Sequence, residues 1–240
     1  MTDAPHPLDP SSYKVLPFAC YGTLVDWEAG LLAQLMPWAE RHALRCTGEE
    51  LLLRHAEHEP QVQESHPAYR YPQVLEQVFQ RIAADYGVDP DPADAAAFGR
   101  SVTAWPPFPD SKEALRRLAQ RFDLVVLSNV DNDSLGASRE LLGDPFRTAV
   151  TAEDVGAYKP DRRMFEAALE TARELGASRD QVLHVAQSLY HDHVPAAELG
   201  LDAVWVDRRG GTGGAARDAT LRIAPLATVP DLAGLADLLS

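Results

Sequence analysis

From residue 110 to its end the chain alternates short apolar runs with amphipathic segments, and no other feature limits its fold so strongly. Leu115, Leu118 and Phe122 place an apolar stripe along one helix, and Asp110-Ser111-Lys112-Glu113 just ahead has the spacing of a capping box. Residues 124–127 read as a buried strand ending at Ser128-Asn129, 133–142 as a helix and 148–151 as a short strand. A long helix follows over 162–175, with Phe165, Ala168 and Leu169 inward. Strands over 182–185 and 203–206, a helix over 194–199 between them and a terminal helix over 231–239 complete the series. Strands and helices alternating through short loops predict a parallel sheet covered on both faces, a doubly wound, Rossmann-like α/β core.

The stretch Phe18-Ala19-Cys20-Tyr21-Gly22-Thr23-Leu24-Val25-Asp26 supplies the first candidate site. Val15, Leu16 and Phe18 form an apolar strand that runs into a Gly-Thr turn, and open parallel sheets bind ligands outside the carboxyl ends of their strands. Pro17 is unexpected in such a strand, because it removes a ladder donor. About eighty helical residues follow, too many for a simple crossover, so a second domain is expected there. Its faces are marked by Leu31, Leu32, Leu35 and Trp38; by Leu51, Leu52 and His55; by Val74, Val78, Ile82 and Tyr86; and by residues 95–102. The proline cluster 105–109 closes the insertion. The division read from this is a core of 12–26 and 107–240 and an inserted helical domain of 27–106.

Charge narrows the partners. With 22 Lys+Arg against 36 Asp+Glu, the net charge of −14 argues against a nucleic-acid surface. Two cysteines, Cys20 and Cys46, are too few for a disulfide framework, and no apolar run is long enough for a membrane span or signal peptide. A cytoplasmic location is expected. Residues 1–12 read as a frayed tail, and Gly210-Gly211-Thr212-Gly213-Gly214 as a flexible loop, not a phosphate cradle.

Four strand-end motifs together resemble the haloacid dehalogenase superfamily. The first motif of that family leads hydrophobic residues into Asp-x-Tyr-Gly-Thr, whose Asp is the covalent nucleophile; here that position holds Ala19. Leu127-Ser128-Asn129 is similar to the second motif, Gly156-Ala157-Tyr158-Lys159-Pro160-Asp161 to the third, and Val185 to Asp192 occupies the place of the fourth. The chain has three lysines, Lys14, Lys112 and Lys159, which makes an ammonium in that loop a pointed choice. The four helices of 27–106 resemble the cap of the type II dehalogenases. The resemblance implies Ala19 at the nucleophile position, Thr23 as its hydrogen-bonding partner, Lys159 as the charge-balancing group and Asp192 as the residue positioning Lys159 or water. It implies Tyr21, Ser128, Asn129, Gln187 and Ser188 against the substrate. Arg54 stands as a counterpart of the halide-receiving cap arginine, against the plain reading of a surface helix charge.

Two chemistries divide the family. Its phosphatases hold Mg²⁺ with the nucleophile and a Gly-Asp acid, whereas here Ala19, Tyr21 and Gln187 stand at those positions. The resemblance to the metal-free dehalogenases is better, and implies no cofactor. In them a carboxylate displaces halide from C2 of a short 2-halo acid, and water hydrolyses the ester. A methyl side chain cannot form that ester, so the chain as written is expected to be inactive or severely impaired. The other readings are a non-hydrolytic relative binding a small anion, or working on a noncovalent substrate by acid/base chemistry, and an Mg²⁺-dependent phosphatase. The expected partner is a small anionic organic molecule, with no nucleic acid and no membrane; a homodimer is left open.

Other residues invite chemistry and receive plainer readings. His191 and His193 flank Asp192 but lack a third ligand, so His191 is read as polar lining. His55, His58 and His66 beside Glu57, Glu59 and Glu64 are read as solvated. Cys20 points away from residues 19 and 21 and is assigned to core packing. Trp27, Trp38, Tyr69 and Tyr71 are the aromatic candidates for an apolar pocket, with core packing equally fitting Trp38.

Overall fold

A computed structural model describes residues 8–210 and 223–240. Its sheet contains six parallel strands: β1 (Val15–Phe18), β2 (Asp123–Ser128), β3 (Thr148–Thr151), β4 (His184–Ala186), β5 (Ala203–Val206) and β6 (Ala227–Val229). Their spatial order is β3-β2-β1-β4-β5-β6, so the winding reverses between β1 and β4 and leaves a crevice at their carboxyl ends. Four helices, α1 (Trp27–Arg41), α2 (Gly48–Ser65), α3 (Tyr71–Asp85) and α4 (Pro92–Arg100), lie between β1 and β2 in sequence. Six more belong to the winding: α5 (Ser111–Leu118), α6 (Asn132–Leu142), α7 (Ala152–Val155), α8 (Arg162–Glu174), α9 (Val194–Glu198) and α10 (Leu232–Leu238). No helix of the described residues is long and apolar enough to cross a membrane.

Alternation along the strands builds two cores. Leu16, Phe18, Leu124 and Val126 face one side, where they join Leu115 and Leu118 of α5, Leu135 of α6 and Leu235 of α10. Val15, Val125 and Leu127 face the other, against Met164, Phe165 and Ala168 of α8 and Ala196 of α9. The first cluster runs on without a break into Leu31, Leu35, Val74, Val78 and Phe98 of the inserted helices.

Pro17 does lie in a central strand. β1 pairs with β2 over its full length, Val15↔Asp123 to Phe18↔Val126. Against β4 it makes one ladder pair, Phe18↔Val185, and an isolated bridge from Val15 to Val182. The gap falls at the proline, which has no N–H to give. Its carbonyl instead accepts from Nδ1 of the His184 ring at 3.0 Å.

Two local expectations need correction, and a third falls outside the described residues. The capping box at Asp110 is absent: both carboxylate oxygens are engaged elsewhere, one by Arg208 Nη1 at 2.8 Å and one by the Leu232 N–H at 2.7 Å. A capping box forms instead at Thr47 and Glu50, starting α2. The tail is described only from Leu8, where Asp9 caps a 3-10 turn, Pro10–Ser12, through the Ser11 N–H. The glycine loop, from Gly211 on, lies outside the described residues.

Helix α1 rests directly on an indole. A Cβ at Gly30 would lie 2.2 Å from Cδ1 of buried Trp105, a separation no carbon pair tolerates. Gly30→Ala should therefore cost about 3 kcal/mol of overpacking, more than the roughly 1 kcal/mol a helix gains from that exchange. The expected result is a lower midpoint in thermal unfolding followed by circular dichroism; an unchanged or raised midpoint would contradict this packing.

Candidate active site

Lys159 is the buried cation at the carboxyl end of the sheet. Its chain position is held by Asn129, just past β2, whose amide oxygen accepts from the Lys159 N–H at 2.6 Å and whose amide nitrogen donates to the Lys159 carbonyl at 3.0 Å. The ammonium donates to the Leu127 carbonyl at 3.1 Å and to Asp192 Oδ1 at 2.7 Å. Both side chains are nearly inaccessible, 5% and 2% exposed, so solvent screens the pair little.

Asp192 is approached from behind as well. His184, fully buried in β4, directs Nε2 at the same Oδ1 at 2.9 Å, while Nδ1 faces the Pro17 carbonyl. A carbonyl only accepts, so Nδ1 carries a hydrogen. Burial alone would raise the Asp192 carboxyl pKa; the Lys159 ammonium and the His184 ring outweigh it and hold that pKa far below the usual carboxylate range. His193 is also buried, with Nε2 3.0 Å from the Ala186 carbonyl, and burial pushes its pKa down to about 4.

The turn after β1 is braced on two sides. Thr23 Oγ1 accepts from the Gln187 N–H at 2.9 Å, joining the first and last strand-end loops. The guanidinium of Arg208 lies 3.9 Å over the Phe108 ring and donates to the Thr23 carbonyl at 2.8 and 3.1 Å and to Asp110 at 2.8 Å. Gly22 takes φ +84°, which a side chain would strain, and a Cβ there would meet Gln187 Oε1 at 3.0 Å.

A cavity of about 120 Å³ opens over these groups. Ser128, Asn129, Lys159, Gln187, Ser188 and Asp192 line its floor, with Tyr190 and His191 beside them. Trp27, His55, Glu59, Gln63 and Tyr71 close it from the inserted helices. Ser128 is buried and lines the cavity. Outside the cavity lining, Arg70 pairs with Asp133 at 2.9 Å and with Glu153 at 3.1 Å, while the Tyr158 hydroxyl donates to the Tyr69 carbonyl at 2.6 Å.

Most predicted residues gather here, in changed duties. Tyr21 borders the cavity through its ring, stacked near Tyr71 at 6.1 Å and edge-on to Trp105 at 5.4 Å; its hydroxyl is engaged with Ser138 at 3.0 Å. Asn129 borders the cavity too, but its amide holds the Lys159 backbone at both ends. Ala19 is buried, with its N–H on the Val185 carbonyl at 3.0 Å, and like Thr23 it is not part of the cavity lining. Arg54 does not reach the cavity. It is half exposed and paired with Glu57 and Asp85, since residue 54 falls on the outer face of α2. His55 and His58 are not solvated: His55 is 1% exposed, and His58 meets Asp85 at 2.7 Å. Cys20 is buried against the core but, contrary to the core-only reading, also lines the cavity with Tyr21, and burial pushes its thiol pKa up to about 12. Of the aromatic candidates Trp27 and Tyr71 line the cavity, Trp38 packs in the core against Phe79, and Tyr69 stacks on His66 outside the lining.

His184, Glu59 and Arg208 escaped the sequence reading. A histidine inside the apolar run 182–186 was the available signal for the first. The residues do not fit an Mg²⁺ site, which requires several free oxygen ligands. Asp192 Oδ1 is taken up by the Lys159 ammonium and the His184 ring, and among the described residues no three His, Cys, Asp or Glu side chains gather as a ligand set.

Comparisons with known proteins agree with this layout. The family described as haloacid dehalogenase-like hydrolase matches residues 18–192. An (S)-2-haloacid dehalogenase of Pseudomonas putida is 28% identical over 143 residues, 58% of this chain and 62% of the relative. A second, from Pseudomonas sp. (strain YL), is 28% identical over 143 residues, covering 58% and 60%. The chain thus spans about three fifths of these curated relatives. Among solved structures, a defluorinating L-2-haloacid dehalogenase aligns with TM-score 0.79 at 21% identity over 95% of each chain. The L-2-haloacid dehalogenase of Xanthobacter autotrophicus aligns with TM-score 0.78 at 20% identity, over 95% of this chain and 98% of that one.

The ion pair has a pH signature. Because the folded carboxyl of Asp192 is depressed, its stabilisation is complete above the unfolded value of about 4 and drains away as pH falls below it. Asp192→Asn leaves Lys159 buried without a counter-charge, at a cost of about 3–5 kcal/mol near pH 7. The gap between the urea midpoints of the two proteins should therefore begin to narrow below about pH 4 and keep narrowing as the pH falls further. A gap that is constant with pH would contradict the assignment.

Proposed function

Because the chain belongs to the haloacid dehalogenase-like hydrolase family, we propose that its cavity holds a short carboxylic acid for metal-independent hydrolysis of a carbon–halogen bond, a reaction disabled here at Ala19. The observation that carries this reading is the Lys159 ammonium, fixed by Asp192, lining one cavity with Ser128 at the crevice between β1 and β4. An ammonium and a hydroxyl donor recognise a carboxylate without any metal. Asp192 keeps the ammonium charged and aimed, His184 keeps Asp192 ionised, and Asn129 holds the loop that presents both. The names of the (S)-2-haloacid dehalogenase relatives supply the substrate class.

In that reaction a carboxylate oxygen on residue 19 attacks C2, the C–O bond forms as the carbon–halogen bond breaks, and halide leaves. Water then cleaves the ester, returning the carboxylate and releasing the 2-hydroxy acid with a proton. Alanine supplies no such oxygen. A second reading, a non-hydrolytic relative that binds a small acid, is favoured by the cap wall: no arginine borders the cavity among the described residues, so a departing halide meets Glu59 and His55 instead of a cation.

Restoring the carboxylate separates the readings. Ala19→Asp should release halide from 2-chloro- or 2-bromopropanoate, without added Mg²⁺, several orders of magnitude faster than the unaltered chain. Halide release by the unaltered chain would refute the disabled reaction, and Mg²⁺-dependent phosphate release by the variant would refute the metal-free assignment. Silence from both proteins would leave the binding reading in place.

A further inference from the structure

We propose that the cavity has a second polar pole, built by Glu59, His55 and Tyr71 on the cap helices, and that this pole receives a hydrogen-bond donor at the end of the ligand away from its carboxylate. The inference rests on the reading of Lys159 and Ser128 as the carboxylate pole. It narrows the ligand class to short acids bearing a terminal hydroxyl or amine.

Residues 55 and 59 are one helical turn apart on α2, so they share a face. That face looks into the cavity: both line it, with Tyr71 of α3 beside them. The Tyr71 hydroxyl donates to Glu59 Oε1 at 2.7 Å. His55 is 1% exposed, and both of its ring nitrogens lack a partner among the described residues, although one of them carries a hydrogen in the neutral ring. Its neighbours are aromatic, Trp27 at 5.5 Å and Phe98 at 6.5 Å between ring centroids.

Such a wall is costly when empty. A buried donor or acceptor without a partner is destabilising, and leucine in place of His55 would avoid it. Burial pushes the His55 pKa down to about 3, so the ring is neutral and does not balance Glu59. Burial also pushes the Glu59 carboxyl up to about 7 despite the Tyr71 hydrogen bond, which leaves it ready to accept from a hydroxyl or pair with an ammonium. A halide has the wrong sign for this wall, and an unsubstituted alkyl tail leaves its polar atoms unsatisfied. The floor and the cap wall thus ask for opposite ends of one small molecule.

Titration calorimetry on the unaltered chain tests this with matched probes of three to five carbons: the alkanoate, the ω-hydroxy acid and the ω-amino acid. At the best chain length the substituted acids should bind at least tenfold more tightly than the alkanoate. Glu59→Leu should abolish that advantage and leave alkanoate binding intact; Glu59→Gln, which keeps the shape and the Tyr71 contact, should abolish the ammonium preference and retain the hydroxyl one. Lys159→Met should weaken all three probes. Equal binding of all probes to the unaltered chain, or a preference that survives Glu59→Leu, would overturn the second pole while leaving the carboxylate pole standing. Failure of every acid to bind would overturn both.

Discussion

Everything at the head of this sheet is arranged around one buried attraction, the ammonium of Lys159 against the carboxylate of Asp192 at 2.7 Å. Two charges removed from water are stable there only if each finds further hydrogen bonds. The surroundings provide them: the Leu127 carbonyl takes a second hydrogen from the ammonium, and the His184 ring donates to the carboxylate. That ring reaches back to the carbonyl of Pro17, so the residue that interrupts the ladder also anchors the charge network. The sheet gives up regularity between β1 and β4 and gains a fixed cation at their carboxyl ends.

The family resemblance concerns this floor more than the roof above it. Lys159, Asp192 and Ser128 line the cavity floor, while residue 19 carries only a methyl and the cap wall carries a glutamate. These departures concern the two ends of one reaction. Under the proposed function, a floor that receives a carboxylate lies beneath a roof unsuited to halide, and recognition is separated from turnover within a single cavity.

Much of the fold was legible because it is local. The runs at 124–127, 148–151 and 203–206 are strands where apolar residues and short loops said they would be, and the cap helices follow their 3.6-residue stripes. Lys159 stood out through the scarcity of lysine. Strand β6 gave no signal, being three small residues at a half-exposed edge. Arg54 and Glu59 show the harder limit: both are charged residues on one helix, and only its rotation against the core decides which faces solvent and which faces the cavity. The capping box misread at Asp110 has the same origin, since its carboxylate is engaged by residues about a hundred positions later.

Those late partners carry a consequence for the order in which the protein is made. The turn bearing residue 19 emerges first from the ribosome, yet the guanidinium that grips the Thr23 carbonyl belongs to Arg208, and the aspartate steadying that guanidinium is shared with the N–H of Leu232. Until the last helix has been translated, the nascent turn lacks its brace. The brace on this turn is therefore a late event, formed only once residues 208 and 232 have joined the fold.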